Sequence, residues 1–225
     1  MGLKKGKYGE ANFIKAELID FLLKHAKYEL IVNELPFLCC KRSADLVAIN
    51  NGMSIGFEIK SKYDNLKTML DQISDYRKTF NFVYLVYSCK FAKSKELTKL
   101  PKNIGRIVIS SDNKLILKRK ARKKISLDKT YMTSVLWRKD LEKLLPKYKK
   151  SAFEQLKQRA IEECTTVNIQ NQIIISLQRR YGDGYKLFLK EKGQKVILED
   201  LNYITNTKKH PVVFSNINTA WLDKD

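Results

Sequence analysis

Apolar residues along the chain change their period in a regular order, and the order predicts the elements. From Tyr8 to about Tyr28, Phe13, Ile14, Leu18, Phe21 and Leu22 recur at three- and four-residue spacing, which predicts an amphipathic helix. A strand is expected over Glu29–Leu35, with Pro36 marking its end. Next, Ala44–Asn50 and Met53–Lys60 flank Asn51-Gly52, the dipeptide most suited to a two-residue type I′ hairpin turn. Leu66, Met69, Leu70, Ile73, Tyr76 and Phe80 form one helical stripe, with Asp64 or Asn65 as the expected cap. The nearly unbroken apolar run Phe82–Tyr87 reads as a strand buried on both faces. Gly105–Ile109, a turn at Ser111-Asp112-Asn113 and Lys114–Lys120 predict an edge hairpin.

Helix, strand, hairpin, helix, strand, hairpin is the order of an α/β fold, a mixed sheet flanked by helices. This core is expected over residues 1–124, followed by a mostly helical C-terminal region over 125–225. In that region helices are predicted over Thr133–Leu145, stopped by Pro146, over Ala152–Cys164, and over Val167–Lys190 with a break at Gly182-Asp183-Gly184. Short strands are expected at Val196–Leu198 and Pro211–Phe214. The Trp137 helix is expected to pack its leucines against the sheet rather than offer a base-stacking platform.

The hairpin carries the chemistry. Counting outward from Asn51-Gly52 sets Asn50 opposite Met53, Ile49 opposite Ser54, Val47 opposite Gly56 and Asp45 opposite Glu58. Opposed like charges destabilise a sheet, so the pair asks for a cation. Lys60, two residues after Glu58, points to the same face. The plainer reading is a salt-bridged strand pair on a solvated face, but the apolar neighbours Val47, Ile49, Ile55 and Phe57 argue for enclosure.

Composition adds a partner. The 225 residues carry 44 basic and 24 acidic side chains, a net charge of +20. Residues 1–90 hold 14 basic and 10 acidic side chains, whereas residues 91–225 hold 30 and 14. Such an excess suits a polyanion, and DNA fits better than a membrane surface because no basic amphipathic helix with an aromatic face accompanies it. The four cysteines lack Cys-x-x-Cys spacing, so neither a zinc site nor a disulfide framework is expected, and at least three should be buried thiols. His25 and His210 are expected to be structural or exposed. With no long apolar run or signal-peptide pattern, the expected location is cytoplasmic.

Asp45, a twelve-residue gap and Glu58-Ile59-Lys60 on the second strand of a hairpin resemble the PD-(D/E)XK nuclease superfamily, although Ala44 stands where the motif has proline. Gln72 and Tyr76 reproduce the Gln-x-x-x-Tyr spacing of its RecB-like members, and the opening Lys-Gly-Lys-Tyr-Gly-Glu10 looks like archaeal Holliday-junction resolvases. The resemblance covers residues 8–124 and implies a restriction-endonuclease-like core. It implies a Mg²⁺ or Mn²⁺ ion held by Asp45, Glu58 and the backbone carbonyl of Ile59, with Lys60 and Gln72 completing the catalytic set. Glu34 is the expected third acid, since related small nucleases read Glu-Leu before the Arg/Ser-Ala-Asp step seen at 42–45, and Glu10 is the alternative. Gln72 has the competing reading of an exposed helix residue and Tyr76 that of core.

Arg42, Lys62, Lys118, Arg119, Lys120 and Arg122 are candidates for nucleic-acid contact, against the plainer reading of surface charge or, in the last strand, protection of a sheet edge by lysines. The expected activity is metal-dependent DNA endonuclease action, in defence, restriction or repair. The alternatives are nucleic-acid binding without turnover on the same fold and an RNA-directed nuclease. A homodimer is compatible with this picture. Substrate specificity and the role of residues 125–225 stay open at this level.

Overall fold

The computed structural model describes residues 7–205. Its centre is a mixed six-stranded sheet in sequence order, from β1 (Leu30–Phe37) through β2 (Arg42–Asn50), β3 (Met53–Lys60), β4 (Phe82–Ser88) and β5 (Gly105–Ile109) to β6 (Leu115–Arg119). The pairs β1–β2, β2–β3 and β5–β6 are antiparallel, while β3–β4 and β4–β5 are parallel. The α/β class expected from the pattern is what the chain adopts. Helices flank the sheet: α1 (Lys7–His25) contacts β3 and β6, α2 (Met69–Thr79) contacts β3 and β4, and α6 (Thr166–Glu191) contacts β1.

The turn between β2 and β3 has Asn51 at φ 49° and Gly52 at φ 66°, both left-handed as a type I′ turn requires. Its register pairs Asn50 with Met53, Ile49 with Ser54, Val47 with Gly56 and Leu46 with Phe57. Gly56 serves a different purpose. A Cβ there would lie 2.6 Å from the Phe80 ring and 2.9 Å from the Tyr76 ring. Its absence lets α2 settle directly onto β3.

Several boundaries differ from expectation. β1 continues through Pro36, which pairs with Ser43, to Phe37; as an edge strand it can spare the missing N–H. α2 begins after Thr68, because Asp64 accepts the Ser61 N–H and hydroxyl, and Asn65 accepts the Lys67 N–H, in the preceding turns. The helix expected over 133–145 is two, α3 (Lys129–Thr133) and α4 (Arg138–Leu144), separated by a turn that restarts when Asp140 accepts the Trp137 N–H. β6 starts at Leu115, one residue after the expected Lys114.

The C-terminal helices depart further. α5 (Phe153–Glu163) falls where predicted, but α6 runs unbroken through Gly182 and Gly184. Gly184 is there for close packing: a Cβ would meet the Tyr203 carbonyl oxygen at 2.2 Å. Residues 196–198 form no strand and lead into the 3-10 helix Glu199–Ile204, while Pro211–Phe214 and His210 lie outside the described residues. α4 and its Trp137 turn pack chiefly on α5 and α6. The buried apolar side chains of the sheet and of these helices form one continuous cluster, from Ile14 to Ile204. Only Cys164 is buried; Cys39, Cys40 and Cys89 are exposed, contrary to expectation, because the first two occupy the sharp β1–β2 connection and the third follows β4. His25 is exposed at the end of α1.

α6 also reaches the hairpin. Gln170 Nε2 donates to the Gly52 carbonyl at 2.8 Å, and Gln178 donates to the Glu29 carbonyl at 3.1 Å. The late part of the chain thus holds the turn that sets the β2–β3 register.

Candidate active site

Three acids stand in line across β1, β2 and β3. The β1–β2 register, with Asn33 opposite Leu46 and Leu35 opposite Ala44, brings Glu34 opposite Asp45; continuing the β2–β3 register one step beyond Leu46 and Phe57 brings Asp45 opposite Glu58. Both ladders are altered along this line. Glu34 has a left-handed backbone, φ 55°. Asp45 uses its side chain in place of its main chain: Oδ2 accepts the Ile59 N–H at 2.7 Å.

α2 supplies two further contacts from one face. Tyr76, wholly buried, accepts the Asp45 N–H on its hydroxyl at 3.0 Å, and Gln72 Oε1 accepts from Lys60 Nζ at 2.7 Å. The i,i+4 spacing predicted both residues to share a helix face. Lys60 also donates to Glu58 Oε1 at 2.7 Å, with Glu58 only 2% exposed. The other carboxylate oxygen of Glu58, Oε2, is buried without a hydrogen-bond partner.

Such an atom is costly in a dry interior, and Asp45 shows the same tension. Burial first and the Glu58 charge second push the Asp45 carboxyl up to about 7, against the opposing pull of the Ile59 N–H, Lys15 and Lys60. Burial and the same two acids hold the Tyr76 hydroxyl well above its ordinary value.

A cavity of about 240 Å³ opens onto this cluster, walled by Asn12 and Lys15 of α1, by Glu34, Asp45, Glu58, Ile59 and Lys60 of the sheet, and by Asp64 and Gln72. Four acids and two lysines give the lining a formal charge of −2. One divalent cation would balance it, and a carboxylate pair with one unpartnered oxygen is a donor set that Mg²⁺ accepts alongside water and phosphate oxygens. The residues therefore fit the ion on two carboxylates. Among the described residues, no three histidine, cysteine, aspartate or glutamate side chains are grouped to hold a metal. Glu34 reaches the cavity but is engaged by Lys15 Nζ at 2.9 Å, and Glu10 lines a neighbouring cavity, 3.5 Å from Lys62.

Lys15 is the residue that pattern reading passed over. Its side chain is 4% exposed. The available signal was its place on the apolar stripe of α1, one turn before Leu18 and two before Leu22, where a lysine is out of character. Asn12, one turn earlier, belongs to the same wall.

The candidate nucleic-acid residues scatter. Arg42 is turned to α2, with Nε donating to Asp75 at 2.9 Å. Arg119 donates to the Ile104 and Pro101 carbonyls at 2.7 and 3.0 Å, which ties β6 to the preceding loop. Lys118, Lys120 and Arg122 are exposed at the β6 edge, and Lys62 lines the cavity that neighbours the acidic cluster. Among the described residues, no helix is long and apolar enough to cross a membrane.

The family model for bacteriophage P4 protein cII matches residues 4–205. Protein cII of Enterobacteria phage P4 is 27% identical over 207 residues, covering 87% of this chain and 78% of that protein. Among solved structures, the SPO1766 protein of unknown function from Silicibacter pomeroyi aligns with 59% of this chain and 79% of its own at a TM-score of 0.34 and 12% identity.

Proposed function

The chain belongs to the bacteriophage P4 protein cII family, and from its enclosed Asp45–Glu58–Lys60 cluster we propose that it is a metal-dependent nuclease with a PD-(D/E)XK-like core. The observation that carries this reading is the buried, unpartnered Glu58 oxygen beside a carboxyl of raised pKa, with Lys60 one hydrogen bond away. An ordinary structural ion pair satisfies its oxygens; this cluster leaves one without a hydrogen-bond partner on a residue that lines the cavity. The mixed sheet and the grip of Gln72 and Tyr76 on the cluster support the same reading.

A bound Mg²⁺ or Mn²⁺ would supply charge neutralisation at the phosphate and a water of lowered pKa. Asp45 and Glu58 would hold the ion at the end of the hairpin, with the Ile59 carbonyl as the further ligand that the resemblance implies, Ile59 lining the same cavity. Lys60 places an ammonium where negative charge develops on the phosphate, and Gln72 fixes its direction. Tyr76 holds the Asp45 backbone, so the carboxylate enters from a fixed strand. The +20 net charge supports a nucleic-acid substrate, DNA first and RNA as the alternative.

The test is cleavage of labelled DNA and RNA with Mg²⁺ and with EDTA, for wild type and for Asp45→Ala, Glu58→Ala and Lys60→Ala. Loss of at least ~100-fold in rate is expected for each variant. Equal cleavage by all four proteins would sink the assignment, and salt-sensitive binding without any cleavage would favour a binding protein on this fold.

A further inference from the structure

A second cavity, of about 360 Å³, lies against the catalytic one and is of different character. Its lining includes Lys62, Lys90, Ser88, Ser110 and Ser111, with Glu10 at one side. The two cavities draw on neighbouring residues of the same elements: Glu10 precedes Ala11 and Asn12 of the catalytic wall on α1, and Lys62 follows Lys60 at the end of β3. Ser88 ends β4, one residue beyond the Tyr87 that pairs with Lys60, and Ile109–Ser111 lead out of β5. Together they form a trough over the carboxyl ends of the three parallel strands, the side of an α/β sheet on which ligands settle.

The chemistry along the trough alternates. Lys62 sits over the ring of Tyr63 at 5.2 Å and Lys90 over the ring of Phe91 at 5.3 Å. Tyr63 is 49% exposed, a large ring turned to solvent next in sequence to the Lys62 that lines the second cavity. Lysine ammoniums and serine hydroxyls serve phosphate oxygens, while an exposed aromatic face serves a base of any identity. Lys90 Nζ is anchored on the Lys62 main-chain carbonyl at 2.8 Å, which fixes its ammonium against the end of β3.

We propose that this trough binds a single strand of nucleic acid as it leaves the catalytic cavity, Lys62 and Lys90 meeting successive phosphates and Tyr63 stacking a base. The proposal rests on the nuclease reading for its substrate class. It moves the main contact surface away from the basic β6 edge. It also gives Glu10 a role, since its carboxylate competes with phosphate for Lys62.

The experiment is fluorescence anisotropy with a labelled oligothymidylate in EDTA, over a series of salt concentrations. The double variant Lys62→Ala/Lys90→Ala should flatten the slope of log affinity against log salt by about 1.4, at about 0.7 for each lost phosphate contact on a single strand. Tyr63→Ala should weaken binding about 5- to 150-fold. Glu10→Gln should tighten it, an outcome that misfolding cannot imitate. An unchanged slope in the double variant, or weaker binding by Glu10→Gln, overturns the proposal. A duplex of the same length bound as tightly as the single strand also overturns it. Binding in EDTA does not need turnover, so a protein that binds as described but never cleaves refutes the catalytic reading alone.

Discussion

The hairpins β2–β3 and β5–β6 are built from the same parts and do opposite things with charge. Each is antiparallel, and each has a left-handed asparagine in its turn, Asn51 at φ 49° and Asn113 at φ 62°. The first lies inside the sheet and folds Asp45, Glu58 and Lys60 inward, where burial sets their behaviour. The second forms the edge and turns Lys118 and Lys120 to solvent, with Asp112 of its turn bound to Ser110 and Lys114. Sequence distance from the turn is similar in the two cases. What differs is whether neighbouring strands and helices enclose the residue, and that decides whether a charge is solvated at an edge or held in a buried cluster where its neighbours set its behaviour.

The comparison breaks most sharply on removing one cation from each hairpin. Lys60→Met leaves Glu58 buried and uncompensated and should cost about 3–5 kcal/mol in urea unfolding. Lys118→Ala should stay within about 0.5 kcal/mol. Equal losses would mean that the inner hairpin is as solvated as the outer one.

Next in size is the opposite pH dependence of the two aspartates. The folded state holds the Asp45 proton up to about 7, while the unfolded chain releases it near 3.8. Between those values the folded protein binds more protons, so metal-free stability falls as pH rises from about 4 to 7. The full shift corresponds to about 4 kcal/mol, lessened because Asp45 opens onto the cavity. Asp112 is held down to about 2, mainly by the Ser110 hydroxyl and Lys114. Its contribution is present above 3.8 and is lost as pH falls toward 2. Denaturation curves of Asp45→Asn should therefore lose the decline between pH 4 and 7, and those of Asp112→Asn should lie below wild type above about pH 4 and converge on it as pH falls toward 2. A wild-type protein whose stability rises from pH 4 to 7, with Asp45→Asn parallel to it, would contradict the enclosed carboxyl.

A smaller effect on stability than that of Lys60→Met is expected at the turn. Gly52→Val puts a β-branched side chain at φ 66° and should cost about 1–2 kcal/mol. Its effect on cleavage should be larger than its effect on unfolding, because a one-residue slip carries Asp45 off the line of Glu58 and Lys60. Full cleavage by folded Gly52→Val would separate register from activity.

The hairpin and its register were legible because an Asn-Gly turn and strict alternation act within fifteen residues. Gln72 and Tyr76 were legible for a similar reason, as helical spacing is local. Lys15 was not, since its burial depends on Glu34 arriving from another element. Gly182 and Gly184 read as a helix break, whereas the helix persists because Tyr203 packs against the bare backbone of Gly184. The exposed Cys39 and Cys40 were misjudged because their residue type favours burial, while three consecutive left-handed residues, Leu38 to Cys40, carry them around the β1–β2 connection. The basic run at 114–124 marked the right charge on an edge strand, but the trough of Lys62 and Lys90 is assembled from three strand ends far apart in sequence.

The left-handed backbone of Glu34 bears on how this chain would evolve in the laboratory. A non-glycine residue in that conformation costs about 1–3 kcal/mol, yet glycine at 34 would also take from the buried Lys15 the carboxylate that pairs it. A population selected for heat resistance alone should therefore reach glycine only together with a change at Lys15. One selected for the work of the pocket should keep both residues, and sequencing the two populations at these codons would reveal which demand the strained residue answers.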